Sequence, residues 1–220
     1  MLTPEAAELP FDDRFGMLVD AEVTARSNTR LQNRLRAAQL RQSAFIEDID
    51  MRTARGLDRG LLTTLATSQW LGLHQNVLID GPTGSGKSFI ACALAQKGCR
   101  DGYSALYERA AKLFHNLSVA KATGQYGKLL AAIARKDLLV IDDFGLSILN
   151  DEQRHDLLEI VEDRYERRST LIAGQVPIDD WHKTIGEPTI ADAILDRLVH
   201  NAYKLKLKAK KSMRDKSDQP

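Results

Sequence analysis

The sequence predicts an α/β fold in which a parallel sheet of five strands lies between layers of helices. Three observations carry that expectation. Short runs that are apolar throughout, such as 138–141, alternate with segments of helical periodicity, as strands buried on both faces do. A glycine-rich turn at 81–86 joins one such run to the start of a helix. Of the 220 residues, 43% are hydrophobic and 28% charged. That is enough apolar surface for one good core and too much for a fibrous or disordered chain.

The elements follow in order. Residues 1–15 are polar and proline-bounded, and read as a loose lead-in. From about 16 to 50 the spacing is helical: Leu31, Leu35, Ala38, Phe45, Ile46 and Ile49 fall on one stripe. Arg26, Arg30, Arg34 and Arg41 fall on a neighbouring stripe of the same helix, expected to stay in solvent. Gly56 and Gly60 mark a joint, and 61–73 is a further short helix. Strands are then expected at 77–79, 105–107, 138–141, 170–173 and 203–208. Helices are expected at 85–97 (closed by Gly98), 110–123 (ending at Gly124), 129–135, 151–168 and 189–200. Asp151 suits the N-terminal dipole of its helix. The domain reading is a helical N-terminal segment at 1–60, a core at 61–208 and a basic tail at 209–220.

The net charge of +1 hides an uneven distribution, with five arginines and no acid between 24 and 46 and a lysine-rich stretch after 204. Basic ends around an acidic middle suit contact with nucleic acid. No apolar run approaches the roughly 18 residues of a spanning helix. Glu5, Glu8, Asp12 and Asp13 precede any basic residue, unlike a secretory leader. Cys92 and Cys99, seven apart on one helix, are expected to be reduced core thiols. The five scattered histidines show no metal spacing. The expected location is the cytoplasm, with no membrane partner.

Residues 81–88 read Gly-Pro-Thr-Gly-Ser-Gly-Lys-Ser, the spacing of a phosphate-binding loop. Gly81, Gly84 and Gly86 let the backbone curl so that consecutive amides point at phosphate oxygens. Pro82, Thr83, Ser85 and Phe89 complete the nucleotide-binding stretch, and the new helix adds its N-terminal dipole. Lys87 supplies a charge for the β- and γ-phosphates of ATP, and the Ser88 hydroxyl is a ligand for Mg2+. The second half of the site is the apolar run 138–141, which ends in Asp142 and Asp143. Such a strand delivers carboxylates to the sheet edge where ligands bind. Asp142 is expected to hold the Mg2+ hydration shell, and Asp143 to polarise the attacking water.

The loop and the Leu-Leu-Val-Ile-Asp-Asp-Phe-Gly block at 138–145 resemble the AAA+ ATPases of the DnaA/DnaC branch. The segments 162–170, 173–177 with Trp181 and His182, 193–198 and 212–214 narrow this. Together they are similar to the IstB-type helper ATPases of insertion sequences, over roughly 60–214. The resemblance implies ATP hydrolysis, duplex DNA binding, assembly into an oligomer with the nucleotide at a subunit interface, and work beside a transposase. It also implies a sensor role for Gln175, otherwise a polar turn residue. Arg197 would be an arginine finger, suited to phosphoryl charge by its planar fork; the alternative is a surface pair with Asp196. At 209–214 the chain reads Ala-Lys-Lys-Ser-Met-Arg where the family carries a Gly-Glu-Ser-Met-Arg-like segment, so no role is carried over to Arg214. No full helical lid is expected after the last strand, and the N-terminal portion reads as short for the family.

Arg26, Arg30, Arg34, Arg41, Lys208, Lys210 and Lys211 are the candidate DNA contacts. The strict alternation at 203–208 reads either as an edge strand guarded by lysines or as a phosphate-contacting surface. A helicase loader of the DnaC type is the alternative function. A small-molecule kinase leaves Gln175 and Arg197 without a role, and a slow nucleotide switch would differ in turnover alone.

Overall fold

The computed structural model describes residues 10–52, 55–208 and Met213. Along the chain run α1 (Phe11–Ala38), a 3-10 turn (Ile46–Asp48), α2 (Arg59–Ala66), α3 (Gln69–Gly72), β1 (Asn76–Asp80) and α4 (Lys87–Arg100). Next come β2 (Ala105–Arg109), α5 (Ala110–Ala122), α6 (Tyr126–Ala134), β3 (Leu138–Phe144) and α7 (Asp151–Arg164). The chain continues with β4 (Ser169–Gly174), a second 3-10 turn (Ile178–Asp180), α8 (Trp181–Ile185), α9 (Pro188–Val199) and β5 (Ala202–Lys206). The five strands form one parallel sheet in the order β2-β3-β4-β1-β5. All C-terminal strand ends therefore lie on one edge.

Alternation along each strand divides the core. Val77, Ile79, Val140 and Leu171 pack with α2, α3, α4 and the end of α1. Leu78, Leu139, Ile141 and Ile172 pack with α5 to α9. Both cysteines are free and buried on the α4 side. Strand β5 is an edge: Leu205 and Leu207 face inward, while Lys204, Lys206 and Lys208 stay exposed. None of the helices among the described residues is long and apolar enough to cross a membrane.

Several boundaries differ from the sequence expectation. Helix α1 starts at Phe11 and stops at Ala38, because Gln39 turns left-handed at φ 52°. Phe45, Ile46 and Ile49 are thus not on its stripe: Phe45 is extended and exposed, and Ile46 opens the 3-10 turn. Arg41 also lies beyond the helix and cannot continue the face of Arg26, Arg30 and Arg34. The helix expected at 61–73 is two helices, broken where Ser68 takes φ 57°. Gly98 does not end its helix. It lies inside α4, where a Cβ would sit 2.9 Å from Leu71 Cδ1, so its role is close packing. Helix α7 ends four residues early. There the buried Arg164 turns its guanidinium onto the carbonyls of Ile133 (2.8 Å), Lys136 (2.9 Å) and Ser169. Its N-terminus is capped by Asn150 through a reciprocal bond pair with Gln153, and Asp151 lies in the first turn as the dipole argument expects.

Candidate nucleotide and metal site

The fully buried β1 delivers residue 81 to the sheet edge, and α4 begins six residues later at Lys87. Between them Gly84 (φ 80°) and Gly86 (φ 93°) occupy left-handed backbone that a side chain would strain. A Cβ on Gly86 would also come 2.5 Å from the Arg55 guanidinium. The Lys87 ammonium turns into the loop, donating to the carbonyls of Gly81 (2.6 Å) and Pro82 (2.9 Å). Its charge therefore already lies against the loop backbone. Ser88 follows in the first turn of α4, and Phe89 packs against the core.

The loop is braced by residues that sequence reasoning missed. Buried Arg55 donates to the Ser85 carbonyl at 3.0 Å and the Asp50 carbonyl at 3.1 Å. Burial pulls its pKa down, and Asp50 opposes that. The Met213 amide donates to the Gly84 carbonyl at 2.8 Å.

At the same edge β3 ends in the acid pair. Asp142 is fully buried, and both its oxygens are engaged. Oδ2 accepts the Tyr107 hydroxyl at 2.5 Å, and Oδ1 accepts the Asp143 amide at 2.8 Å. Burial first, and then the Asp142 carboxylate, raise the Tyr107 phenol pKa. Asp143 sits at φ 57° in an irregularity between Ile141 and Phe144 that swings its carboxylate out of the ladder. A non-glycine residue held there is a common mark of a functional position. Arg109 Nε donates to Asp143 Oδ2 at 2.9 Å. Arg41 Nη1 stands 3.6 Å from that oxygen and 3.8 Å from Asp142 Oδ2.

Strand β4 lies between the two halves, with Gly174 opposite Asp80 on one side and Phe144 on the other. A Cβ on Gly174 would meet the Phe144 carbonyl at 2.6 Å, so only glycine allows this approach. The next residue, Gln175, accepts a hydrogen bond from Thr83 Oγ1 at 2.8 Å. Loop, acid pair and Gln175 thus meet at one edge. Ser88 offers a hydroxyl oxygen and Asp142 a carboxylate whose orientation is already held by hydrogen bonds, donors that suit a hard, hydrated cation such as Mg2+. The donor set fits that metal.

The remaining candidates lie elsewhere. The Arg197 backbone carbonyl accepts from Asn76 Nδ2 at the start of β1, the opposite edge of the sheet. Four strand steps of about 3.3 Å put that edge roughly 13 Å from the loop. Its guanidinium pairs with Glu162 at 3.0 Å, in place of the Asp196 partner considered from sequence. Arg26 pairs with Glu22, and Arg30 is exposed. Arg34 donates to the Cys99 carbonyl at 2.9 Å and ties α1 to α4. Lys208 is exposed, while Lys210, Lys211 and Arg214 lie outside the described residues.

No local pattern marks Tyr107 and Arg109. They share one face of β2 by the two-residue period. Only the parallel register, Arg109 opposite Asp142, brings them to the acids.

The model of a family described as IstB-like ATP binding protein matches residues 2–219. The chain is 49% identical over 203 residues to the insertion sequence ATP-binding protein y4pL of Sinorhizobium fredii, covering 92% of this chain and 83% of that one. Over 175 residues it is 43% identical to the ATP-binding protein of insertion sequence IS1162 of Pseudomonas fluorescens, covering 79% and 76%. Among solved structures it is similar to the DnaC helicase loader, with a TM-score of 0.63 and 20% identity over 75% of this chain and 97% of that one. AMPPCP-bound DnaA from Aquifex aeolicus gives a TM-score of 0.63 at 16% identity, over 80% and 53%. At such identities the two structures speak for the fold alone.

Proposed function

The chain belongs to the IstB-like ATP-binding protein family, and on that premise we propose that it is an ATP-hydrolysing transposition helper. In this reading it assembles on duplex DNA with ATP and activates or targets a partner transposase in the cytoplasm. What most supports hydrolysis is the meeting at one sheet edge of the phosphate loop, the acid pair and Gln175, the last bonded to the loop through Thr83. The loop amides and Lys87 bind the β- and γ-phosphates. Ser88 and Asp142 hold Mg2+, which when bound neutralises charge on those phosphates. Asp143, exposed enough to meet water and steadied by Arg109, takes the proton of the attacking water. Gln175 orients the γ-phosphate. Arg197, on the far edge from its own loop, serves the nucleotide of a neighbouring subunit.

Duplex DNA runs along the exposed Arg26–Arg30 face of α1, with Lys208, Lys210 and Lys211 adding phosphate contacts. A backbone-tracking face of this kind binds with little regard to sequence. The test is the rate of phosphate release with and without duplex DNA, together with particle size by light scattering. DNA-stimulated turnover and ATP-dependent growth in size are expected. No turnover under either condition refutes the hydrolytic reading. Capture of a replicative helicase in place of the transposase would favour the loader function.

A further inference from the structure

Arg41 belongs to neither the helix nor the DNA-facing surface its sequence position suggested. Past the left-handed Gln39, its guanidinium reaches across Tyr107 to within 3.8 Å of Asp142 and 3.6 Å of Asp143. Its side chain is 41% exposed and has the Tyr107 side chain as a hydrogen-bond partner. Around it the acid pair carries two negative charges. Arg109 engages one of them, and Arg41 stands 3.8 Å from fully buried Asp142. The chain around it is anchored: Arg34 binds the Cys99 carbonyl, Ala38 and Ala44 are buried, and the amides of Arg41 and Gln42 face the Cys92 thiol of α4.

We propose that Arg41 is a positioning residue that serves as counter-ion to Asp142 and Asp143 when no metal is bound. Mg2+ entering with nucleotide competes with it and frees the segment that joins α1 to the core. The inference rests on reading Asp142 as the metal-holding carboxylate. Its physics is simple: a divalent cation at Asp142 puts like charges within a few ångströms, and the exposed partner is the one that moves. The coupling is reciprocal. A DNA or protein partner that pulls on α1 and withdraws Arg41 raises the affinity for Mg2+ and nucleotide by the factor that nucleotide raises affinity for the partner.

The experiment uses the full chain. ATP binding is titrated with Mg2+ for wild type, Arg41→Gln, Arg41→Lys and Asp142→Asn, and hydrogen exchange across 39–46 is followed with and without Mg2+ and a non-hydrolysable ATP analogue. Arg41→Gln should need about fivefold less Mg2+, the order expected on removing a partly exposed competing charge, while Arg41→Lys stays near wild type. Exchange across 39–46 should rise several-fold on loading in wild type, and be high already in metal-free Arg41→Gln. Unchanged or weakened Mg2+ affinity in Arg41→Gln overturns the proposal, as does a wild-type segment that ignores loading. Asp142→Asn separates the two levels. If it abolishes the Mg2+ dependence while Arg41→Gln has no effect, the Arg41 inference alone fails. If Asp142→Asn leaves that dependence intact, the metal site fails with it.

Discussion

Tyr107→Phe tests whether the acid pair is held in position by β2. The ring is 5% exposed and its hydroxyl meets a carboxylate that water does not reach. Phenylalanine keeps the ring and its packing, so the loss is confined to the hydroxyl, whose main bond is to the Asp142 carboxylate and whose other partner is Arg41. Hydrogen bonds to ionised groups contribute about 1.5–3 kcal/mol. The Asp143 amide at 2.8 Å and Arg41 at 3.8 Å remain to share the charge, which favours the middle of that range, about 2 kcal/mol. For a chain of this size each kcal/mol moves the melting temperature by roughly 2–4 °C, so a fall of about 4–8 °C is expected in metal-free protein. Mg2+ and ATP offer the orphaned oxygen a new partner, and the deficit should shrink when both are present. Calorimetry of both proteins, with and without Mg2+ and ATP, checks this. A fall under about 1 °C, or the same fall in both states, would refute the reasoning.

Lys87→Ala should lose tight ATP binding, whereas Asp143→Asn should keep it and hydrolyse about 10²–10⁴-fold more slowly; equilibrium binding beside phosphate release separates them. Arg197→Ala should bind ATP near normally yet turn over poorly, and mixing it with Asp143→Asn should restore part of the rate. No rescue at any ratio would leave Arg197 as the partner of Glu162 alone. Arg26→Ala with Arg30→Ala, sparing the structural Arg34, should flatten the log–log salt dependence of duplex binding by up to about 1.8. Burial raises the pKa of Asp80, one of whose oxygens lacks a hydrogen-bond partner. Between the ordinary and the raised value the folded chain holds a proton that the unfolded chain has released, so stability falls as pH rises through that window. Asp80→Asn should remove that slope, and melts of both proteins from pH 4 upward would reveal it.

Local chemistry was enough for the sequence to determine the phosphate loop, the acid pair and five strands between helices, and a resemblance spread over several segments pointed to the family. A glycine-rich curl between a strand and a helix, or an apolar run ending in acids, is complete within a few consecutive residues. Helix ends were less legible. Ala38 and Gly98 show why: a left-handed Gln39 ends α1, while Gly98 serves close packing on Leu71 inside α4, and periodicity sees neither. The site's supporting residues were decided by tertiary structure alone. Placing β4 between β1 and β3 sets Gln175 against Thr83, 92 positions away. The β2–β3 register brings Tyr107 and Arg109 to acids 34 or 35 residues distant. Arg41 moved from an expected solvent face to the acid pair because the helix ended before it. Each of these contacts joins segments whose separation along the chain has no period, and only the packing of the sheet and its helices brings them within hydrogen-bonding or ion-pair reach.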